Sequence, residues 1–226
     1  MLDTKEEILN AAEVLFARMG YHASSMRAIT ETAGVNLALA NYHFGSKEAL
    51  LEAVIARRLQ PVNDLRIKRL QEIRNNSGAR NRKPDLQEVL RAYIEPVFGN
   101  GESERDWTHL TNLIGRAFTE PDETVQKTLL RHMKLVNQII LDLLMAALPG
   151  LSREEVFWRY QFLNGALGLA IRIHSHPGYG RLKKNFETDS ETLMEMLVSF
   201  ATGGMETVWS RAGRKRKTQV SQPGVA

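Results

Sequence analysis

The chain has 226 residues, a net charge of +4, 43% hydrophobic and 25% charged residues, the proportions of an ordinary globular protein with room for a substantial core. With no cysteine, disulfides, thiolate metal sites and cysteine nucleophiles are excluded. No window approaches the roughly 18 uninterrupted apolar residues of a membrane span, and the acidic start MLDTKEEILN is unlike a secretory signal, so a soluble cytoplasmic protein is expected.

Only 7 prolines interrupt long runs rich in Ala, Leu, Glu, Arg and Met, which favours an all-α fold. The first helix opens at Thr4-Lys5-Glu6-Glu7, the order of a capping box, and closes at Gly20. Ile8, Ala12, Leu15, Phe16 and Met19 recur at helical spacing and face a core, while Lys5, Glu6, Glu13 and Arg18 face water. Ser25 is the natural N-cap of a second helix, Met26 to Ala33, whose inner face carries Met26, Ile29 and Ala33 and which Gly34 stops. A third helix of about eight residues runs from Leu37 to Phe44. Gly45-Ser46 breaks the chain again before a fourth helix begins at Lys47 and leads through Gln60-Pro61 towards Arg74.

Asn75 to Pro84 reads as a polar, flexible link. Between Arg57 and Lys83 nine bases stand against two acids, a local excess whose plainest reading is a solvated surface. Helical spacing resumes near 86–98, 107–119, 123–147, 153–175 and 190–210, and Ser152-Arg153-Glu154-Glu155 and Thr188-Asp189-Ser190-Glu191 both have capping-box order. After residue 210 come Arg211, Arg214, Lys215, Arg216 and Lys217 and then TQVSQPGVA, too polar to pack and expected to be disordered.

Two short helices joined by a tight glycine turn are what a helix-turn-helix needs. Gly34 takes the left-handed backbone that a side chain resists by about 1–2 kcal/mol. Val35 plugs the corner, and Leu39 and Phe44 turn inward against Ile29 and Leu50. Asn36, Ala38, Asn41, Tyr42 and His43 then look outward. Asn bonds adenine in a bidentate way, Ala touches a thymine methyl, and Tyr and His reach phosphate oxygens. Lys47 in the first turn of a helix opposes the macrodipole, a sign that a phosphate bound there with Ser46 would reverse.

The stretch SSMRAITETAGVNLALANYHFGSKEALLEAV resembles the N-terminal helix-turn-helix of the TetR family of transcriptional regulators, over about the first 55 residues. One departure is Asn41 followed by Tyr42, where many members place a phosphate-contacting tyrosine. The resemblance implies a homodimer on double-stranded DNA, contacted by Ser25, Arg27, Asn36, Leu37, Ala38, Asn41, Tyr42, His43 and Lys47. It divides the chain into a DNA-binding domain (1–50), a helical effector-binding and dimerisation domain (51–210) and a basic tail (211–226). The last two helices would pair across a two-fold axis, with Leu193, Leu197, Phe200, Ala201, Gly204 and Val208 as one stripe of the contact.

Phe98, Trp107, Leu110, Ile114, Phe118, Met133, Phe157 and Tyr160 would line an effector pocket, with Arg172 as a polar anchor, although such stripes are also the ordinary content of a helical core. VNLALANYHFGSKEAL and FWRYQFLNGALGLA are similar, more weakly, to the TetR regulators of fatty-acid catabolism, which implies an apolar or amphipathic effector such as a fatty acid or acyl thioester. No nucleophile elbow, phosphate-cradling glycine loop or H-E-x-x-H motif is present, so neither an enzyme nor a cofactor is expected. His174-Ser175-His176 could bind a metal only with ligands from elsewhere, and no metal site is assigned. The expected function is a ligand-released homodimeric repressor on a palindromic operator; the alternative is a lipid-binding or carrier protein with a vestigial DNA module.

Overall fold

The computed structural model describes residues 3–98, 109, 111–113, 123–175 and 188–207. Among them the chain is all-α, with helices α1 (Thr4–Met19), α2 (Met26–Ala33), α3 (Leu37–Phe44), α4 (Lys47–Ala79), α5 (Leu86–Phe98), α6 (Glu123–Ala147), α7 (Arg153–Ser175) and α8 (Ser190–Glu206). Expected tail residues from 211 onward lie outside the described residues.

Local signals set most helix ends. The Ser25, Asn36 and Ser46 side chains accept from the amides of Ala28, Leu39 and Ala49 at 3.1, 2.9 and 3.1 Å, each satisfying an otherwise orphaned donor. At the start of α7, Ser152 and Glu155 close a reciprocal capping box through contacts of 3.0 and 3.3 Å. Two other expected boxes differ. α1 begins after Asp3 with no side-chain cap, and α8 is capped one residue later than expected, by Asp189 accepting from Thr192 N at 2.7 Å.

Two apolar cores form. The first joins Ile8, Ala12 and Phe16 of α1 and Ile29 of α2 to Ala40 of α3 and Leu50, Leu51, Val54, Ile55 and Leu59 of α4; Val125 of α6 also belongs to it. The second joins Val62 and Leu70 of α4 to Tyr93, Ile140, Tyr160, Leu163 and Val198 of the later helices. α4 therefore belongs to both. Its 33 residues give it a length of about 50 Å, and Met133 of α6 packs against each core.

Burial corrects several outlines read from periodicity. Glu13, expected in water, is 4% exposed because α4 lays Arg57 and Arg58 against it. Met19 is exposed instead of buried, and so is Leu39, whose place on the inner face is taken by Ala40. One residue is about 100° of helix, enough to carry Leu39 off the short contact face. The polar stretch Asn75–Ala79 is helical, extending α4 before the link. In α8 the inner stripe is Met194, Leu197, Val198, Ala201 and Met205, while Phe200 and Gly204 are exposed and Val208 lies outside the described residues.

Candidate nucleic-acid interface and effector core

The turn between α2 and α3 is built by Gly34 at φ 69°, ψ 25°, a left-handed conformation natural to glycine. It places Val35 N on Thr30 O at 3.0 Å and Val35 against the first core. At the far end of α3, Gly45 at φ 73°, ψ −50° carries a three-residue turn in which Ser46 N donates to Phe44 O at 2.8 Å. This is the uncommon hand of the γ-turn, strained for any side chain. The two glycines hold α3 as a short rod that touches its own domain through buried Ala40 and half-buried Phe44.

Most of the rest of α3 is outside. Ser25, Arg27, Asn36, Leu37, Ala38, Asn41 and Tyr42 are all exposed and His43 is half-buried, so these expected contact residues are at the surface of α2, α3 and their N-caps. Tyr42 is 84% exposed, an unusual position for a large aromatic ring, and it stacks edge-on against His43 with centroids 5.4 Å apart. Asn36 accepts from Leu39 N through Oδ1, so its Nδ2 is the outward-facing donor.

Lys47 is held more tightly than its sequence position suggests. Its Nζ donates to Tyr21 O at 3.1 Å and Ser24 O at 3.0 Å and sits 4.2 Å from the Tyr21 ring centroid. One N–H of the three then points elsewhere. Tyr21 Oη donates to Glu48 Oε1 at 2.9 Å. Backbone hydrogen bonding, with help from Tyr21 and Ser46, holds the Glu48 carboxyl below the usual carboxylate range. These contacts lock the loop before α2 onto the start of α4, which sets the angle at which α2 and α3 are presented.

In the larger core the expected effector residues separate. Tyr160 is buried, Met133 and Phe98 pack half-buried against the core, and Arg172 is half-buried in the last turn of α7. Phe157 does not join them: it lies about 100° round from buried Val156, is 43% exposed, and packs against Trp158. Trp107, Leu110, Ile114 and Phe118 lie outside the described residues. No cluster of His, Asp and Glu among the described residues could hold a metal ion, and His174 instead meets Ser190 Oγ at 2.9 Å.

A polar centre inside this core is not apparent from apolar spacing. Tyr93 Oη donates to Asn164 Oδ1 at 2.6 Å, and the Tyr160 hydroxyl lies 3.0 Å from Tyr93 Oη and 2.7 Å from Asn137 Oδ1. Burial, then the neighbouring Tyr93, pushes the Tyr160 phenol far above its ordinary range, so it stays a protonated donor. Arg66 lies beside it, 4% exposed, with Nε donating to Tyr93 O at 2.8 Å. Its sequence signal was a charged residue one turn from Val62 and one from Leu70, interrupting an apolar stripe.

A three-helix N-terminal unit with a double-glycine-bounded, outward-facing third helix, joined by one long helix to a helical bundle, defines a helix-turn-helix DNA-binding protein with a second, all-helical domain. The chain belongs to the TetR family of transcriptional regulators: residues 8–54 match the bacterial regulatory proteins of the tetR family and residues 91–204 the tetracyclin repressor-like C-terminal domain. It is 42% identical over 52 residues to the HTH-type transcriptional regulator UidR of Escherichia coli strain K12, covering 23% of this chain and 26% of UidR. The chain thus matches only about a quarter of that relative's length. To the HTH-type transcriptional activator FasR of Mycolicibacterium smegmatis it is 27% identical over 208 residues, 91% of this chain and 84% of FasR. The fatty acid degradation regulator FadR from Bacillus halodurans has the same fold, with a TM-score of 0.57 at 18% identity over 91% of this chain and 98% of that one. So does the TetR family regulator PfmR from Thermus thermophilus, with a TM-score of 0.56 at 19% identity over 90% and 99%. No helix among the described residues is long and apolar enough to cross a membrane.

Proposed function

We propose that this regulator is a homodimeric, ligand-released repressor whose two reading heads, residues 1–50 of each copy, dock in successive major grooves of a palindromic operator. The observation that carries the reading is the exposed face of α3, with Tyr42 84% exposed at its centre. Asn41 and Ala38 read base edges; Tyr42, His43, Ser25, Arg27 and the remaining N–H of Lys47 hold backbone phosphates, with Asn36 and Leu37 at the entry of the helix.

The partner is a second copy, packed on the outer faces of α7 and α8. Trp158, Phe162 and Leu169 of α7 and Met196 and Phe200 of α8 are 52, 69, 55, 60 and 71% exposed. They lie opposite the buried stripes of their own helices. Gly165 and Gly203 fall on the same outward lines, and nothing lies within 4 Å of where their side chains would begin, so another helix can approach closely. An exposed apolar face of this kind supports an isologous four-helix contact.

The effector sits in the domain of residues 51–210. FadR is named for fatty acid degradation, which supports an apolar or amphipathic ligand here. Such a ligand releases DNA only by preferring the arrangement whose half-site spacing is wrong. α4, shared by both cores, is the element through which that preference reaches α3. The test is selection of genomic fragments by the purified protein at near-physiological salt, followed by footprinting and a reporter carrying the selected site. An inverted repeat whose reporter rises on deletion of the protein supports the reading. Only salt-sensitive background binding refutes the operator, and a reporter that falls on deletion refutes repression, the outcome that the name of FasR, an activator, makes worth measuring.

A further inference from the structure

Among the described residues, the half-buried arginines Arg57, Arg58, Arg69 and Arg91 each hold a glutamate. Arg66, more deeply buried at 4% exposure, pairs with no carboxylate among the described residues. Its guanidinium carbon lies 4.0 Å from the centroid of the Tyr93 ring, Nε donates to Tyr93 O at 2.8 Å, and Nη1 reaches Asn63 Oδ1 only at 3.4 Å. A carbonyl, a ring face and one long amide contact bring no negative charge, so no described residue neutralises this buried cation.

Beside it is a polar cluster whose donors at present bond within the core, Asn164 Nδ2 to Tyr160 O at 3.0 Å among them. The Tyr93 and Tyr160 hydroxyls and the Asn137 and Asn164 amides form one connected cluster. A carboxylate is acceptor-only, with about four lone-pair sites, and would pair with the guanidinium while drawing the tyrosine hydroxyl protons off the asparagine oxygens they now meet. The walls beyond are apolar: Val62, Leu70, Val136, Leu163 and Leu167. The cluster reaches towards the surface at Asn137 and Asn164, which are half-buried. One turn past Asn164, nothing lies within 4 Å of where a side chain on Gly168 would begin.

We propose that Arg66 is the anion anchor of the effector domain, binding the carboxylate of a long-chain acid together with the Tyr93, Tyr160, Asn137 and Asn164 side chains. This rests on the reading that the domain takes an apolar or amphipathic effector, and it narrows that class to free carboxylates. The anchor is also placed to be felt by the reading head. Asn63, the partner of Arg66, donates to His132 O at 3.1 Å, and His132 and Arg131 both meet Glu52 near the start of α4, at 2.8 and 2.6 Å. A carboxylate that draws Arg66 off Asn63 acts on the chain of contacts between α4 and α6.

The test is calorimetric titration of the full-length protein with dodecanoate and, separately, dodecanol, both below their micellar concentrations. The wild type is expected to bind the acid at least about tenfold more tightly than the alcohol, the weight of a charge-assisted contact. Arg66→Gln is expected to abolish that preference while leaving dodecanol affinity unchanged, and Arg66→Lys to retain part of it. Because Arg66→Gln can destabilise the core, the acid-to-alcohol ratio of the wild type decides without it. Equal affinity for the two ligands overturns the anchor and leaves the apolar-effector reading standing. Equal loss of both ligands in Arg66→Gln assigns Arg66 to packing and overturns the anchor as well. Binding of neither ligand by the wild type overturns both readings.

Discussion

Glu13 is the acid whose loss should be felt most. It is buried between Arg57 and Arg58, accepting from Arg58 Nε at 3.1 Å and Nη2 at 3.1 Å and from Arg57 Nη2. The three side chains are 5, 18 and 13% exposed. Glu13→Gln keeps the shape and removes the charge, leaving two adjacent guanidiniums in a partly desolvated pocket. Removing one partner of a buried pair costs about 3–5 kcal/mol. Arg57 keeps Glu6 at 2.9 Å and Asn10 at 2.9 Å, so the lower end, about 3 kcal/mol, is expected. Glu6 touches the same arginine but its side chain is 46% exposed, and Glu6→Gln should cost under about 1 kcal/mol. Urea unfolding followed by circular dichroism, at one fixed protomer concentration, reads both, and a loss of about 3 kcal/mol moves the midpoint by about 1 M or more. If Glu13→Gln costs no more than Glu6→Gln, burial is not what gives this cluster its weight.

Gly34→Ala has space for its methyl group but meets φ 69°, and should lose about 1–2 kcal/mol in the same unfolding assay; a neutral result would mean that the turn relaxes. Tyr42→Ala should weaken binding to operator and random DNA alike and flatten the salt slope by about one. Asn41→Ala should mainly lower the preference for operator over random DNA, and equal losses on both DNAs for both variants would count against the division. Phe162→Glu, introducing a charge at a ring 69% exposed, should leave the fold intact by circular dichroism but yield monomers in light scattering; an unchanged dimer would place the two-fold contact elsewhere. The Arg91 guanidinium, by hydrogen bonding, holds the Glu195 carboxyl below its ordinary 4.5. The unfolded chain therefore binds the proton first, and the stability this pair adds between α5 and α8 is present above 4.5 and lost as pH falls through the lower folded value. Glu195→Gln should remove that part of the acid dependence from the pH profile of thermal unfolding, and an unchanged profile would refute the assignment.

The reading head was legible because its signals are local. Ser25, Gly34, Asn36, Gly45 and Ser46 act within a turn of where they stand, through one amide or one backbone angle each, so their consequences travel with the sequence. The same holds for Ser152 and Glu155 at the start of α7. Helix α4 was less legible at its far end, since Asn75 to Ala79 are polar but keep helical geometry once the preceding helix supplies their hydrogen-bonding partners.

Burial is where local signals stop. Glu13 is inside because of Arg57 and Arg58, more than forty residues away, and Arg66 because α5 brings Tyr93 across it. Arg66 at least interrupts the apolar stripe of Val62 and Leu70, but the spacing around Glu13 does not distinguish it from a solvated charge. The apolar lines Trp158–Phe162–Leu169 and Met196–Phe200 are equally ambiguous on paper, because a helix with two apolar faces does not say which one its own chain will cover. Sequence alone determined the described helices, the caps at Ser25, Asn36, Ser46 and Ser152, and the presence of a reading head. Tertiary structure decided which charges lose their water and which hydrophobic faces remain uncovered, since both depend on contacts between segments distant along the chain.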